Sequence, residues 1–200
     1  MHPKDRPVAL AERLRGLNVY LVGMMGCGKS HVGPALADRL GYRFVDLDRV
    51  ITAAAGQPIP AIFAAEGEAG FRRLERQVLQ QVAGWHSLVV ATGGGVVTTP
   101  ANWGELRQGV VVWLDVPAAT LLDRLRADPT PRPLLADADP AARLQELLGQ
   151  RHPLYSQADL CIPAGDGGAT TIAERVLEAL PGVLREPGSQ GIRDEPAARA

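Results

Sequence analysis

Residues 23–30 read Gly23-Met24-Met25-Gly26-Cys27-Gly28-Lys29-Ser30, the spacing G-x-x-x-x-G-K-S. A compact apolar run, Asn18 to Val22 (NVYLV), precedes it, and the residues that follow are expected to open a helix. Strand, glycine-rich turn and helix in that order build a loop whose backbone N–H groups curl around phosphate oxygens. The helix N-terminus adds further donors and the positive end of its dipole. Lys29 is then placed to reach the β- and γ-phosphates of a nucleotide, and Ser30 to offer its hydroxyl to Mg2+. The loop is expected to leave Lys29 exposed. The chain has only one other lysine, Lys4, and its other nineteen basic side chains are arginine. A compositional bias towards arginine accounts for that scarcity, yet a lysine is retained at position 29. The motif says that nucleotide phosphates are bound without selecting a reaction.

Outward from the loop, short β-rich runs alternate with helical patterns. Phe44 to Asp48 (FVDLD), Ser87 to Thr92, Val110 to Val116 and Asp159 to Pro163 read as four further strands. Continuous apolar runs of this kind fit strands buried on both faces, as in a parallel sheet. Phe71, Leu74, Val78 and Val82 share one face of a helix over 70–83, stopped by Gly84. Pro117 opens a helix carrying Leu121, Leu122 and Leu125, and Asp139-Pro140 reads as an N-cap and first helical residue. Thr171 and Glu174 have capping-box spacing, and Pro181-Gly182 ends the last helix. The alternation predicts a three-layer α/β domain.

The chain is 200 residues long, with 46% hydrophobic and 22% charged residues, which excludes wholesale disorder. A net charge of −1, from 21 basic and 22 acidic residues, argues against nucleic acid and anionic membranes as partners. Two cysteines, Cys27 and Cys161, make no disulfide framework, and a reducing compartment is expected. No run is long and apolar enough for a membrane span, and the N-terminus resembles neither a signal nor a transit peptide. A cytoplasmic protein is expected. Residues 1–16 read as an N-terminal extension and 17–184 as the domain. Residues 128–140, with four prolines, read as a lid of the domain, and 185–200 as a disordered tail.

Three constellations join the phosphate loop. Asp46 and Asp48, two apart at the end of the second strand, are expected to point the same way at the edge where α/β sheets bind ligands, ready for Mg2+ or a hydroxyl. Gly93, Gly94 and Gly95 follow the third strand, and so many successive glycines imply that something approaches the backbone closely. Arg72 and Arg73 are expected in the first turn of their helix, Arg132 in the proline-rich loop, and Arg151 just after an apolar helix. Lysine is absent beyond Lys29, so the N-K-x-D guanine site of a GTP switch is missing. A short chain with a lid suits a small-molecule kinase.

The segments GMMGCGKS, FVDLD, FRRLE, TGGGVV, RPLL and RHPLY, in this order and at these spacings, resemble the shikimate kinase family over residues 17–182. The resemblance implies the nucleoside-monophosphate-kinase-like P-loop fold, an α/β architecture with a five-stranded parallel sheet in the order 2-3-1-4-5. It implies transfer of the γ-phosphoryl of ATP to the 3-hydroxyl of shikimate, with Mg2+ and with ATP as co-substrate, on the route to chorismate and aromatic amino acids, by a monomer.

Carried over by that resemblance, Lys29, Asp48 and Arg132 are catalytic. Gly26, Cys27, Gly28, Lys29, Ser30, His31, Arg126 and Arg132 surround ATP, with Arg126 against adenine. Ser30 and Asp46 serve the metal. Asp48 binds the shikimate hydroxyls and is the general-base candidate. Arg72 and Arg151 grip the shikimate carboxylate, and Gly94 contacts the substrate through its backbone. Position 31 is His where a hydroxyl residue is common in the family, and position 34 is Pro where Arg is common. Pro34 costs the carbonyl of Ser30 its helix hydrogen bond if the helix has begun by then. A gluconate kinase-like enzyme and a non-catalytic nucleotide-binding relative are the competing readings. TGGG, FRR and RHPLY favour shikimate, and none of the carried catalytic residues is substituted.

Overall fold

Five strands, β1 (Val19–Val22), β2 (Arg43–Asp46), β3 (Leu88–Ala91), β4 (Val110–Asp115) and β5 (Leu160–Pro163), run parallel in the order β2-β3-β1-β4-β5 in the computed structural model. It describes residues 6–184 except 129, 131 and 136–138. The order is the one implied by the resemblance. The central strands β3, β1 and β4 are apolar runs because both faces are covered, whereas the edge strands β2 and β5, also expected to be buried on both faces, are partly exposed because each has a neighbour on one side only. On β1, Val19 and Leu21 enter one core and Tyr20 and Val22 the other, and Val89 stands opposite to Leu88 and Val90 on β3.

The helices are α1 (Arg6–Leu14), α2 (Lys29–Leu40), α3 (Leu47–Ala55), α4 (Ile59–Ala83), α5 (Asn102–Leu106), α6 (Ala118–Ala127), α7 (Pro140–Tyr155) and α8 (Ala169–Ala179). Helices α1, α2 and α8 pack Leu14, Leu36 and Val176 on one face of the sheet, while α3 and α4 pack Ile51 and Leu79 on the other. Helix α1 lies in the stretch read as an N-terminal extension, and its Leu10 and Leu14 are buried. Among the described residues no helix is long and apolar enough to cross a membrane.

Several boundaries differ from the sequence reading. The second strand ends at Asp46, not Asp48. Asp46 is instead the N-cap of α3, a helix not foreseen, and its side chain accepts from the backbone N–H of Asp48 and Arg49. Helix α4 begins at Ile59, eleven residues early, and is broken at Gly67, whose φ of 67° and ψ of −175° are open to glycine but strained for other residues. Arg72 and Arg73 therefore lie beyond the first turn after the break. Arg151 lies inside α7, which runs through Pro153 to Tyr155. The Thr171–Glu174 capping box is not formed, because the chain turns earlier and Gly168 caps α8 without a side-chain bond. Asp139 does cap α7, accepting from Ala141 and Ala142 N–H. The residues 185–200 read as a tail lie outside the described residues, as do 129, 131 and 136–138 of the 128–140 stretch.

Register decides what the sheet edge assembles. Leu21 of β1 and Asp46 of β2 both pair with Ala91 of β3. The loops after β1 and β3 and the cap of α3 thus leave the sheet side by side, where open α/β sheets bind ligands.

Candidate active site

Helix α2 starts at Lys29 with Gly28 as its N-cap at φ 99°. Lys29 is buried, contrary to the exposed position expected. Its ammonium bends back over the loop and donates to the carbonyl oxygens of Gly23 at 2.8 Å and Met24 at 3.0 Å, with Cys27 Sγ at 3.3 Å. Pro34 sits inside α2, so its missing N–H leaves the Ser30 carbonyl without its helical partner, as the sequence reading required of a helix begun by then.

Before this loop lies a cavity of about 720 Å3 lined by Gly26 to His31, Asp46, Asp48, Gly94 and Arg132. Its size suits a nucleotide. Ser30 Oγ donates to Asp46 Oδ2 at 2.6 Å. Mg2+ prefers oxygen donors and takes one or two carboxylates together with substrate phosphates, so this adjacent hydroxyl and carboxylate fit it. Among the described residues no cluster of three His, Cys, Asp or Glu offers an all-protein cage.

Asp48 stands in the first turn of α3. Its Oδ1 is buried with no hydrogen-bond partner. Burial, then the Asp46 charge, pushes its carboxyl above the usual carboxylate range, against the pull of Lys29, Arg132 and Arg72.

The three glycines after β3 each leave room for a particular group. A Cβ on Gly93 would lie 2.5 Å from Glu75 Oε1 and 3.3 Å from Asp48 Oδ1, and one on Gly95 would lie 2.0 Å from Arg72 Nη2. Gly94 brings its backbone against the loop, where a Cβ would lie 3.1 Å from Met25 N. The Gly94 carbonyl accepts from the Tyr155 hydroxyl. Its N–H makes no hydrogen bond among the described residues.

Arg72 and Arg151 come from α4 and α7. Arg72 Nη1 donates to Glu75 Oε2 at 2.7 Å. Glu75 has no exposed surface, its Oε1 has no partner, and burial pushes its carboxyl up against the pull of Arg72. Arg151 is 3% exposed and meets Met24 Sδ at 3.8 Å. Among the described residues no carboxylate lies at ion-pair distance from Arg151. Its charge is nonetheless felt at Glu75, as is that of Asp48. A buried guanidinium without a carboxylate partner is costly to keep, and this one is hydrogen-bonded to Tyr155.

Arg132 Nη2 donates to Asp128 at 2.6 Å, and its Nε is buried without a partner. Hydrogen bonds from Thr130, then Arg132, hold the Asp128 carboxyl down at about 2. His31 is exposed at the mouth of the nucleotide cavity. Arg126 is exposed, pairs loosely with Asp123 at 4.0 Å, and borders a neighbouring cavity instead of the one at the loop. The arginine that reaches the loop is Arg124, which donates to the carbonyls of Gly26 at 3.3 Å and Ala164 at 3.1 Å. Arg73 is a surface residue paired with Glu66 at 3.5 Å.

Three residues of this site escaped the sequence reading: Glu75, Tyr155 and Arg124. Glu75 and Tyr155 close the segments FRRLE and RHPLY, and the i,i+3 spacing of Arg72 and Glu75 was a usable signal. Arg124 carries no such mark.

Known proteins resemble this chain over nearly its whole length. The family model described as shikimate kinase matches residues 25–181. A shikimate kinase of Synechococcus sp. (strain RCC307) is 65% identical over 189 residues, 94% of this chain and 97% of that protein. One from Nostoc punctiforme is 51% identical over 90% of this chain and 99% of its own length. Among solved structures, shikimate kinase from Acinetobacter baumannii in complex with shikimate superposes with a TM-score of 0.82 at 39% identity, covering 86% of this chain and 97% of that one. A gluconokinase from Sinorhizobium meliloti, at 18% identity and a TM-score of 0.57, shares the fold.

Proposed function

The chain belongs to the shikimate kinase family and transfers a phosphoryl group from ATP to shikimate, and on that premise we propose how its residues divide the work. Phosphoryl transfer demands little covalent chemistry of the protein. The attacking oxygen must be aligned, and negative charge spreading over the phosphoryl oxygens must be met by fixed positive groups.

Lys29, Arg132 and the N–H groups of Gly26 and Gly28 surround the phosphates, with Cys27, whose N–H donates to the Met24 carbonyl, in the loop between them. Ser30 and Asp46 would hold Mg2+, whose charge offsets that of the β- and γ-phosphates when it is bound. Asp48 accepts the 3-hydroxyl of shikimate, orients it and takes its proton late. Arg72 and Arg151 take the carboxylate, and the free N–H of Gly94 meets the ring substituents between them. The observation that carries this reading is the unpartnered Asp48 Oδ1 beside Gly93, within the charge of Lys29, Arg132 and Arg72. His31 is assigned to the mouth of the ATP site. For adenine, Arg124 fits better than Arg126, since it is the one anchored to the loop.

The test measures ADP release with shikimate and with gluconate side by side, where turnover with shikimate alone is expected. The acceptor pocket is tested by Arg72→Lys, with shikimate and with an analogue whose carboxylate is a neutral alcohol. A lysine keeps the charge but loses the planar fork. Hydrogen bonds to charged groups contribute about 1.5–3 kcal/mol, so the shikimate dissociation constant should rise about ten- to a hundredfold. The analogue should lose little more. Equal losses with both acceptors would take Arg72 out of the carboxylate site.

A further inference from the structure

The Arg72 guanidinium already holds two carboxylates. Nη1 donates to Glu75 Oε2 at 2.7 Å, while Nε and Nη2 both donate to Glu68 Oε1, at 3.3 and 3.0 Å. The two acids differ in what release would cost them. The Glu75 side chain has no exposure, so parting it from Arg72 would strand a buried charge. The Glu68 side chain is 51% exposed and would return to water. The pair is solvent-screened at its Glu68 end only, Arg72 being 13% exposed, so its contribution is smaller than that of the buried Glu75 pair.

Glu68 also sits on the edge of Arg72 that matters for an acceptor. The Nε and Nη2 donors are parallel and match the two oxygens of a carboxylate. Arg72 has little freedom to offer another edge, since its Nη1 is held by Glu75 and the backbone of Gly95 lies against the guanidinium. Glu68 reaches this edge because it directly follows the break at Gly67, one turn before Arg72.

We propose that Glu68 is an internal stand-in for the acceptor carboxylate: it occupies the Nε–Nη2 edge of Arg72 while the pocket is empty and yields it when shikimate binds. This rests on the assignment of Arg72 to the acceptor carboxylate. Glu68 thereby contributes to specificity, because an acceptor must bring a carboxylate of its own to displace it, and a neutral one leaves the arginine occupied.

The experiment measures the binding of shikimate and of the neutral-alcohol analogue, without nucleotide, to the wild type, Glu68→Gln and Glu68→Ala. Both variants should bind shikimate about two- to fivefold more tightly, the range set by an ion pair screened at its Glu68 end, with unchanged kcat. The gain should shrink at high salt, and the analogue should bind as before. Unchanged or weaker shikimate binding by both variants overturns the proposal, as does an equal gain for both acceptors. The Arg72→Lys comparison separates the two ideas. If Arg72→Lys loses shikimate selectively and the Glu68 variants gain nothing, only the stand-in fails. If Arg72→Lys loses both acceptors equally, the acceptor site itself fails.

Discussion

Ser30 and Asp46, sixteen residues apart, are joined by a 2.6 Å hydrogen bond that ties the first turn of α2 to the cap of α3. Asp46 does two jobs with different oxygens. Its Oδ1 accepts the N–H groups of Asp48 and Arg49, and its Oδ2 faces Ser30.

The two jobs are separable by substitution. Asn caps helices as well as Asp but brings no charge to a metal, so Asp46→Asn should raise the Mg2+ concentration needed for half-maximal turnover while leaving thermal stability nearly unchanged. Asp46→Ala should lose both jobs, raising the Mg2+ requirement and costing about 1 kcal/mol of stability through the missing cap. An unchanged Mg2+ requirement in Asp46→Asn would remove Asp46 from the metal site.

Asp48→Asn should lower kcat about a hundredfold or more, the usual contribution of a positioned general base, and leave ATP affinity intact. The measurement is steady-state kinetics beside nucleotide titration. A collapse of ATP affinity with normal shikimate affinity would make Asp48 a metal residue.

Lys29→Ala should abolish turnover through the loss of several kcal/mol of transition-state stabilisation. The burial of Lys29 adds a second consequence. Its ammonium satisfies two carbonyls of the loop, and a charged hydrogen bond contributes about 1.5–3 kcal/mol, so the melting temperature should fall by a few degrees. Full activity would dismiss the phosphate-loop assignment, and an unchanged melt would dismiss the structural role of the ammonium.

Gly95→Ala tests the acceptor pocket without touching a polar group. The backbone of Gly95, at φ −101°, tolerates alanine, but the new Cβ would lie 2.0 Å from Arg72 Nη2. Arg72 must move, and shikimate affinity should fall about tenfold or more with nucleotide affinity unchanged. Wild-type shikimate binding in this variant would show that the position of Arg72 is not what the pocket depends on.

What the sequence determined by itself was whatever depends on near neighbours along the chain. The spacing from Gly23 to Ser30 specifies a turn and a helix start. The apolar runs of the central strands reflect burial on two faces, and Asp139-Pro140 caps a helix whatever lies around it. The order of the six segments from GMMGCGKS through FRRLE and TGGGVV to RHPLY carried the resemblance, and with it the sheet order. Only the tertiary structure decided which residues those segments bring together. FVDLD reads as one apolar strand, but the strand stops at Asp46 because that carboxylate turns back to cap α3. Glu75 reads as one more polar residue on a helix, yet it is wholly buried, because α4 turns that face to Gly93 and Arg72 is there to pair with it. Lys29 reads as exposed in a loop, yet it is buried against carbonyls five and six residues before it. Arg124 and Arg126 are indistinguishable in sequence, and the direction in which α6 faces the phosphate loop selects Arg124. Local patterning sets where turns and elements form, while burial and partners depend on packing between elements far apart in the chain.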